Sequence, residues 1–177
     1  MNMLKPRTIF INDPFGIRQI KETLSNLLIA SCVTPTEHWL VSAWLTDFDL
    51  LDNRSGDWDH VNPNWGHRFV KFSEMIIYAL NVGATFYIVT NEQDINSAFI
   101  KQLKSSVNSN ASLHTAISES MHKKGLLTNS FYLSGSMNFT YSGTHRNQEE
   151  VKLTVERNSL FETKLEFEKL YMEKFDV

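Results

Sequence analysis

Between His38 and Ile117 the chain alternates short apolar runs with longer amphipathic segments, and this alternation limits the choice of fold more than any other feature. HWLVSAWL (38–45) is mostly apolar and suits a buried strand. Arg68 to Asn81 predicts a helix, with Phe69, Phe72, Met75, Ile76, Ala79 and Leu80 on one side and Gly83 suited to ending it. ATFYIVT (84–90) predicts a strand, Asp94 opens a further helix to about Leu103, and ASLHTAI (111–117) predicts another strand. Strand, helix, strand, helix, strand implies an α/β fold, a mixed and mostly parallel sheet flanked by helices on both faces. The 177 residues, 42% of them apolar and 12% aromatic, suffice for one domain over 1–177 with a single core.

The flanking segments fit that plan. Residues 12–30 predict a helix capped by Asp13, with Pro14 at its first position and Ile17, Ile20, Leu24, Leu27 and Leu28 at helical spacing. Residues 46–66, dense in Asp, Asn, Gly, Pro and Trp, have no sustained period and are expected to form a long loop. Trp58 and Trp65 within it are expected to pin the loop to the body rather than stack on bases. GLLTN and SFYLSG predict two short strands joined at Asn129 and Ser130, EVKLTVE (150–156) predicts another strand, and residues 158–175 predict a final helix capped by Asn158.

Composition excludes several classes. With 17 basic against 20 acidic residues the formal charge is -3, so no global positive field draws the chain to nucleic acid or anionic lipid. Any such contact must be local. A single cysteine, Cys32, excludes an intrachain disulfide and points to a reducing compartment, and its apolar neighbours make it a core residue rather than a nucleophile. The start of the chain has no signal-peptide pattern and no run reaches about 18 apolar residues, so a soluble cytoplasmic protein without membrane contact is expected. His60, His67 and the neighbouring Asp residues match no ligand spacing, so no metal and no other cofactor is expected.

The candidate chemistry lies in HKKGLLTNSFYLSGSMNFTYSGTHRNQEE, residues 122–150. If His122 to Lys124 enter a strand, period two sets His122 beside Lys124 and puts Lys123 on the other face. Gly135, Ser136 and Asn138 follow a strand and precede a helical turn, where free backbone N–H groups, a hydroxyl and an amide suit an anion. Glu149 is in phase with Val151, Leu153 and Val155, so it points inward and needs a partner such as a histidine. Asp47 and Asp49, just past a central strand, are further candidates to face a site at the carboxyl edge of the sheet.

This stretch resembles the signature of the phospholipase D superfamily: His-x-Lys, four residues, Asp, six residues, Gly-Ser-x-Asn, and a Glu about a dozen residues later. His122 and Lys124, then Gly135, Ser136 and Asn138, then Glu149 match it in order. Asn129 stands in the Asp position, and five residues rather than six separate it from Gly135. The motif covers about thirty residues, and the order of elements before it is also similar to the superfamily's domain.

The resemblance implies metal-independent cleavage of a phosphodiester. One histidine attacks phosphorus, a second protonates the leaving oxygen, and Lys and Asn side chains hold the nonbridging oxygens. The implied catalytic residues are His122, Lys124, Ser136, Asn138 and Glu149, with Gly135, Asn129, Lys123, Asp47 and Asp49 lining the substrate. Asn129 keeps the shape of the motif Asp without its charge, which bears on activity. None of His38, His60, His67, His114 and His145 has Lys two positions later, so the chain carries one half-site. A twofold homodimer is expected to supply the other.

Small size and the single motif resemble bacterial nucleases of the family, in a defence or DNA-modification system that includes protein partners. An inactive nucleic-acid-binding or scaffold subunit is the alternative, and a phospholipase a second one.

Overall fold

The computed structural model describes residues 5–119 and 121–175. A seven-stranded sheet is built from β1 (Arg7–Ile11), β2 (Glu37–Val41), β5 (Thr85–Thr90), β6 (Ser112–Ile117), β7 (Gly125–Thr128), β8 (Tyr132–Gly135) and β9 (Glu149–Thr154), in the order β1-β9-β8-β7-β2-β5-β6. Pairing is parallel at β2–β5 and β5–β6 and antiparallel at β2–β7, β7–β8, β8–β9 and β1–β9. The mixed α/β sheet is therefore parallel where strands alternate with helices, and antiparallel where the motif lies. A separate two-stranded ribbon joins β3 (Asp49–Asp52) to β4 (Phe69–Lys71).

Helices cover both faces because the central strands are apolar on both. Leu40, Phe86, Ile88, Leu126, Leu133 and Val151 pack in one cluster with residues of α1 (Pro14–Val33), α2 (Phe72–Asn81) and α3 (Asp94–Ser106). Trp39, Val41, Val89 and Leu127 face the other way, onto Leu160, Phe167 and Tyr171 of α5 (Arg157–Tyr171). Successive strand residues point to opposite faces, so each run feeds two cores. A short α4 (Tyr141–His145) connects β8 to β9.

Several expectations are corrected. Residues 46–66 are not an unstructured loop: they contain β3 and a 3-10 turn at Pro63–Trp65. The fully buried Asn53 organises them, donating to Asp59 and the Gly66 carbonyl, both at 2.9 Å, and accepting from Trp58 N–H at 2.8 Å. Trp65 is buried and Trp58 half-buried against the core, the pinning role expected of them. Residues 69–71 belong to β4, so the following helix starts at Phe72 rather than Arg68. The strand from His38 ends at Val41, not Leu45. Glu156, not Asn158, caps the last helix, accepting from the N–H groups of Asn158 and Ser159.

β1 has no counterpart in the sequence reading. Its alternation is confined to Ile9 and Ile11, buried on one face of an edge strand, while Phe10 is exposed.

Two titratable side chains lie inside this core. Cys32 lies in the α1 face of the core, and burial pushes its thiol up to about 12, a core thiol rather than a nucleophile. His38 is fully buried, stacked on Phe86 at 4.2 Å, with ring nitrogens 2.6 Å from Ser31 Oγ and 2.9 Å from the Thr36 carbonyl. Desolvation outweighs these contacts and lowers its pKa from 6.5 to about 4.

The unfolded chain therefore binds the proton that the folded chain refuses. The stability His38 contributes is complete above about pH 6.5 and is lost as pH falls towards 4, by about 3 kcal/mol. Urea midpoints across that range should show this loss, and the loss should be reduced by that amount in His38→Leu.

Candidate active site

Strand direction decides which residues meet. β1, β2, β5, β6 and β8 end, and β7 and β9 begin, at the same edge of the sheet. His122 and Lys124 lead into β7, Gly135 closes β8, Ser136 and Asn138 follow it, and Glu149 opens β9. Five of the expected catalytic residues thus come from three chain crossings of one edge, the carboxyl edge of the parallel strands, where open α/β sheets hold their ligands.

Hydrogen bonds fix this edge in detail. Gly135 N–H donates to the Lys124 carbonyl at 3.4 Å, tying the two motif halves together. Ser136 N–H donates to the Glu150 carbonyl and Ser136 Oγ accepts from Glu150 N–H, both at 3.0 Å. The Ser136 hydroxyl donates to Glu149, whose other carboxylate oxygen accepts from the Asn147 amide at 3.2 Å. Glu149 is half-buried rather than turned fully inward, and its hydrogen-bond partners among the described residues are Ser136 and Asn147 rather than a histidine.

Gly135 is required by closeness, since a Cβ there would lie 2.0 Å from the Glu150 carbonyl oxygen. At Gly143 the same atom would lie 2.3 Å from the Asn138 carbonyl oxygen, so α4 sits directly on the loop it follows.

The Asn138 side chain faces β2. Its Oδ1 accepts from Ser42 Oγ and Trp44 N–H, both at 3.3 Å. Ser42 is fully buried and also donates to the Trp44 carbonyl at 2.7 Å and accepts from Phe139 N–H at 3.2 Å. Buried Asn96 accepts from Leu45 N–H at 2.8 Å and donates to the Ala43 carbonyl at 2.9 Å. This frame holds Trp44 on the edge with 43% of its surface exposed. Ser42, Trp44 and Asn96 were hidden from sequence reading, because HWLVSAWL and the helix after Asp94 have no local sign of such bonds.

His122 is exposed and Lys124 half-buried. Both precede β7, so strand alternation does not order them; instead the Lys124 ammonium donates to the His122 carbonyl at 3.3 Å. Among the described residues no carboxylate lies within ion-pair distance of Lys124. An exposed imidazole and an unneutralised ammonium thus lie where the chain enters β7, and an anion is the ligand they fit.

Four expected substrate contacts fall outside this group. Lys123 turns to α5, where it pairs with Glu166 at 2.5 Å and lies over the Phe167 ring. Asn129 is at the turn between β7 and β8, the opposite end of the hairpin, and donates to Thr36 Oγ1 at 3.4 Å. Asp47 accepts from Ser73 N–H at 3.0 Å and Ser73 Oγ at 2.8 Å, which makes it a cap for the first turn of α2. Asp49, in the ribbon, acts electrostatically on Lys21 and His145.

His145 forms a separate group. Its ring stacks on Tyr141 at 4.4 Å and lies 3.3 Å from the Lys21 ammonium, and burial, then the Lys21 charge, lowers its pKa. Lys21 is itself lowered, chiefly by burial. Among the described residues no cluster of histidine, cysteine and carboxylate side chains could hold a metal ion.

No family model and no curated protein matches the sequence. Solved structures do match its shape. Nuc from Salmonella typhimurium, a phospholipase D family member, superposes with TM-score 0.62 at 15% identity over 97% of each chain. The fold is that of the phospholipase D family. NucT from Helicobacter pylori superposes with TM-score 0.58 at 14% identity over 97% of this chain and 98% of its own. Polyphosphate kinase from Porphyromonas gingivalis gives 0.63 at 11% identity, over 94% of this chain and 26% of that one. This phospholipase D fold therefore extends over nearly the whole chain.

The close approach at Gly135 yields a direct test. Gly135→Ala should cost about 1–3 kcal/mol in urea unfolding, the usual effect of an overpacked atom, because the β8–β9 pair must part to admit it.

Proposed function

We propose that the chain is a metal-independent phosphodiesterase of the phospholipase D type that cleaves nucleic acid. The observation that carries this reading is the convergence of His122, Lys124, Ser136 and Asn138 on one sheet edge, with Lys124 lacking an acidic partner among the described residues. The folds of Nuc and NucT point the same way. No helix among the described residues is long and apolar enough to cross a membrane.

In this reading an imidazole nitrogen of His122 attacks phosphorus, the P–N bond forms, and the P–O bond to one nucleoside breaks. The leaving oxygen takes a proton from His122 of the partner subunit. Water then attacks the phosphohistidine with that second imidazole as base, releasing a phosphate monoester and restoring both rings. Lys124 opposes the charge on the nonbridging oxygens, and the amide nitrogen of Asn138, whose Oδ1 alone is tied to Ser42 and Trp44, donates to them. Glu149 orients the Ser136 hydroxyl. One chain supplies one nucleophile, so the reaction requires two copies meeting at their His122 edges.

Asn129 sits at the far end of the hairpin, so the missing Asp charge removes nothing from this group. That supports an enzyme over a binding subunit that has lost its chemistry. Purified protein should cleave single- or double-stranded DNA or RNA in EDTA, with His122→Ala lowering the rate by at least about 10³-fold. Binding without cleavage by the wild type would mark a binding subunit instead, and cleavage confined to lipid vesicles a phospholipase. Light scattering at micromolar concentration should give about twice the 20.5 kDa chain mass, and a monomer would contradict the shared site.

A further inference from the structure

A second cationic feature lies on the same edge, away from the motif. Where α3 and the 3-10 turn Met172–Lys174 that follows α5 flank β6, a cleft of about 520 Å³ is lined by Lys101, Lys104 and Lys174. Its remaining lining is uncharged and includes Thr90 and Ile117, the last residues of β5 and β6. Lys174 donates to Ser118 Oγ at 3.0 Å, and among the described residues none of the three lysines has a carboxylate within ion-pair distance. In a chain of net charge -3, three unneutralised ammonium groups in one cleft are a local reversal of sign.

The strand order sets its distance from the motif. From β7 through β2 and β5 to β6 there are three strand spacings, about 14 Å at 4.7–4.9 Å each. Trp44 lies between them, at the end of β2, its exposed indole held by the bonds to its backbone.

We infer that the Lys101–Lys104–Lys174 cleft binds a second phosphate of the polynucleotide whose scissile phosphate lies at His122 and Ser136. This rests on the phosphodiester reading and adds to it where the substrate strand runs. The chemistry of the cleft selects a polyanion over a small one. Flexible lysine ammonium groups act as point charges, and no arginine fork or buried donor set encloses a single phosphate there. At about 3.4 Å of rise per nucleotide, 14 Å corresponds to about four steps of a helical strand, and fewer of an extended one. Very short substrates therefore reach one site, and longer ones bridge both.

Fluorescence anisotropy on the full chain in EDTA, with His122→Ala to prevent cleavage, tests this with oligonucleotides of two and about twelve nucleotides, of which only the longer spans about 14 Å. Adding Lys101→Glu and Lys104→Glu should weaken the longer oligonucleotide at least tenfold. The slope of log K against log salt should fall by about 1.5, the loss of about two phosphate contacts. Affinity for the shorter oligonucleotide should change less than twofold.

Lys101→Gln with Lys104→Gln, which adds no negative charge, should give a smaller loss in the same direction, and circular dichroism of both variants should match the parent. Equal losses for both lengths, or none, would overturn the inference. So would competition in which inorganic phosphate displaces the longer oligonucleotide as readily as unlabelled oligonucleotide does, since the cleft would then be a free-anion site. Binding alone is read here, so failure of the cleavage reading is recognised separately, as wild-type protein that binds in this way but does not cut.

Discussion

The site depends on the register of the antiparallel β7–β8–β9 meander. Leu126 opposite Leu133, and Leu133 opposite Leu153, place apolar side chains on the α1 face, while Leu127 opposite Tyr132 serves the α5 face. A slip of one residue would turn each of these to the wrong core, so two-sided burial holds the pairing. That same register ends the hairpin with Gly135 against Lys124 and sets Ser136 beside Glu149 and Glu150. The chemistry is therefore positioned by hydrocarbon several residues away from it.

A second layer keeps the edge from relaxing. Ser42, Asn96 and Asn138 satisfy the carbonyl and N–H groups of residues 42–45 where the chain leaves β2, a stretch that would otherwise bury unpaired backbone. Buried polar networks of this kind are rigid when complete. Asn138 links two parts of the edge: its amide oxygen is anchored to the frame, and its backbone belongs to the loop between β8 and α4.

How much was legible follows from which signals are local. Helices α1, α2 and α3 and strands β5 to β9 were readable because their apolar spacing, caps and breakers lie within each segment, as with Asp13, Pro14 and Gly83. Motif residues His122, Lys124, Ser136, Asn138 and Glu149 were readable as a set because their order along the chain is distinctive, and strand direction alone brings them to one edge. β1 and the β3–β4 ribbon were not, because each is a short edge pair whose stability comes from a distant partner. Lys123, Asn129, Asp47 and Asp49 were misplaced for a related reason: closeness in sequence to a motif or a strand end says nothing of which way the chain turns. Lys123 turned to α5 and Asp47 to the start of α2.

The proposed chemistry reduces to one covalent event, transfer of a nucleotidyl group to the imidazole of His122. Rapid quenching during turnover on a nucleic-acid substrate, followed by peptide mass spectrometry under alkaline conditions that preserve phosphoramidates, tests it most directly. A nucleotidyl adduct on residue 122, formed and lost within the catalytic cycle, is the expected result. Turnover with no adduct there, or with one on another side chain such as His145, would contradict it.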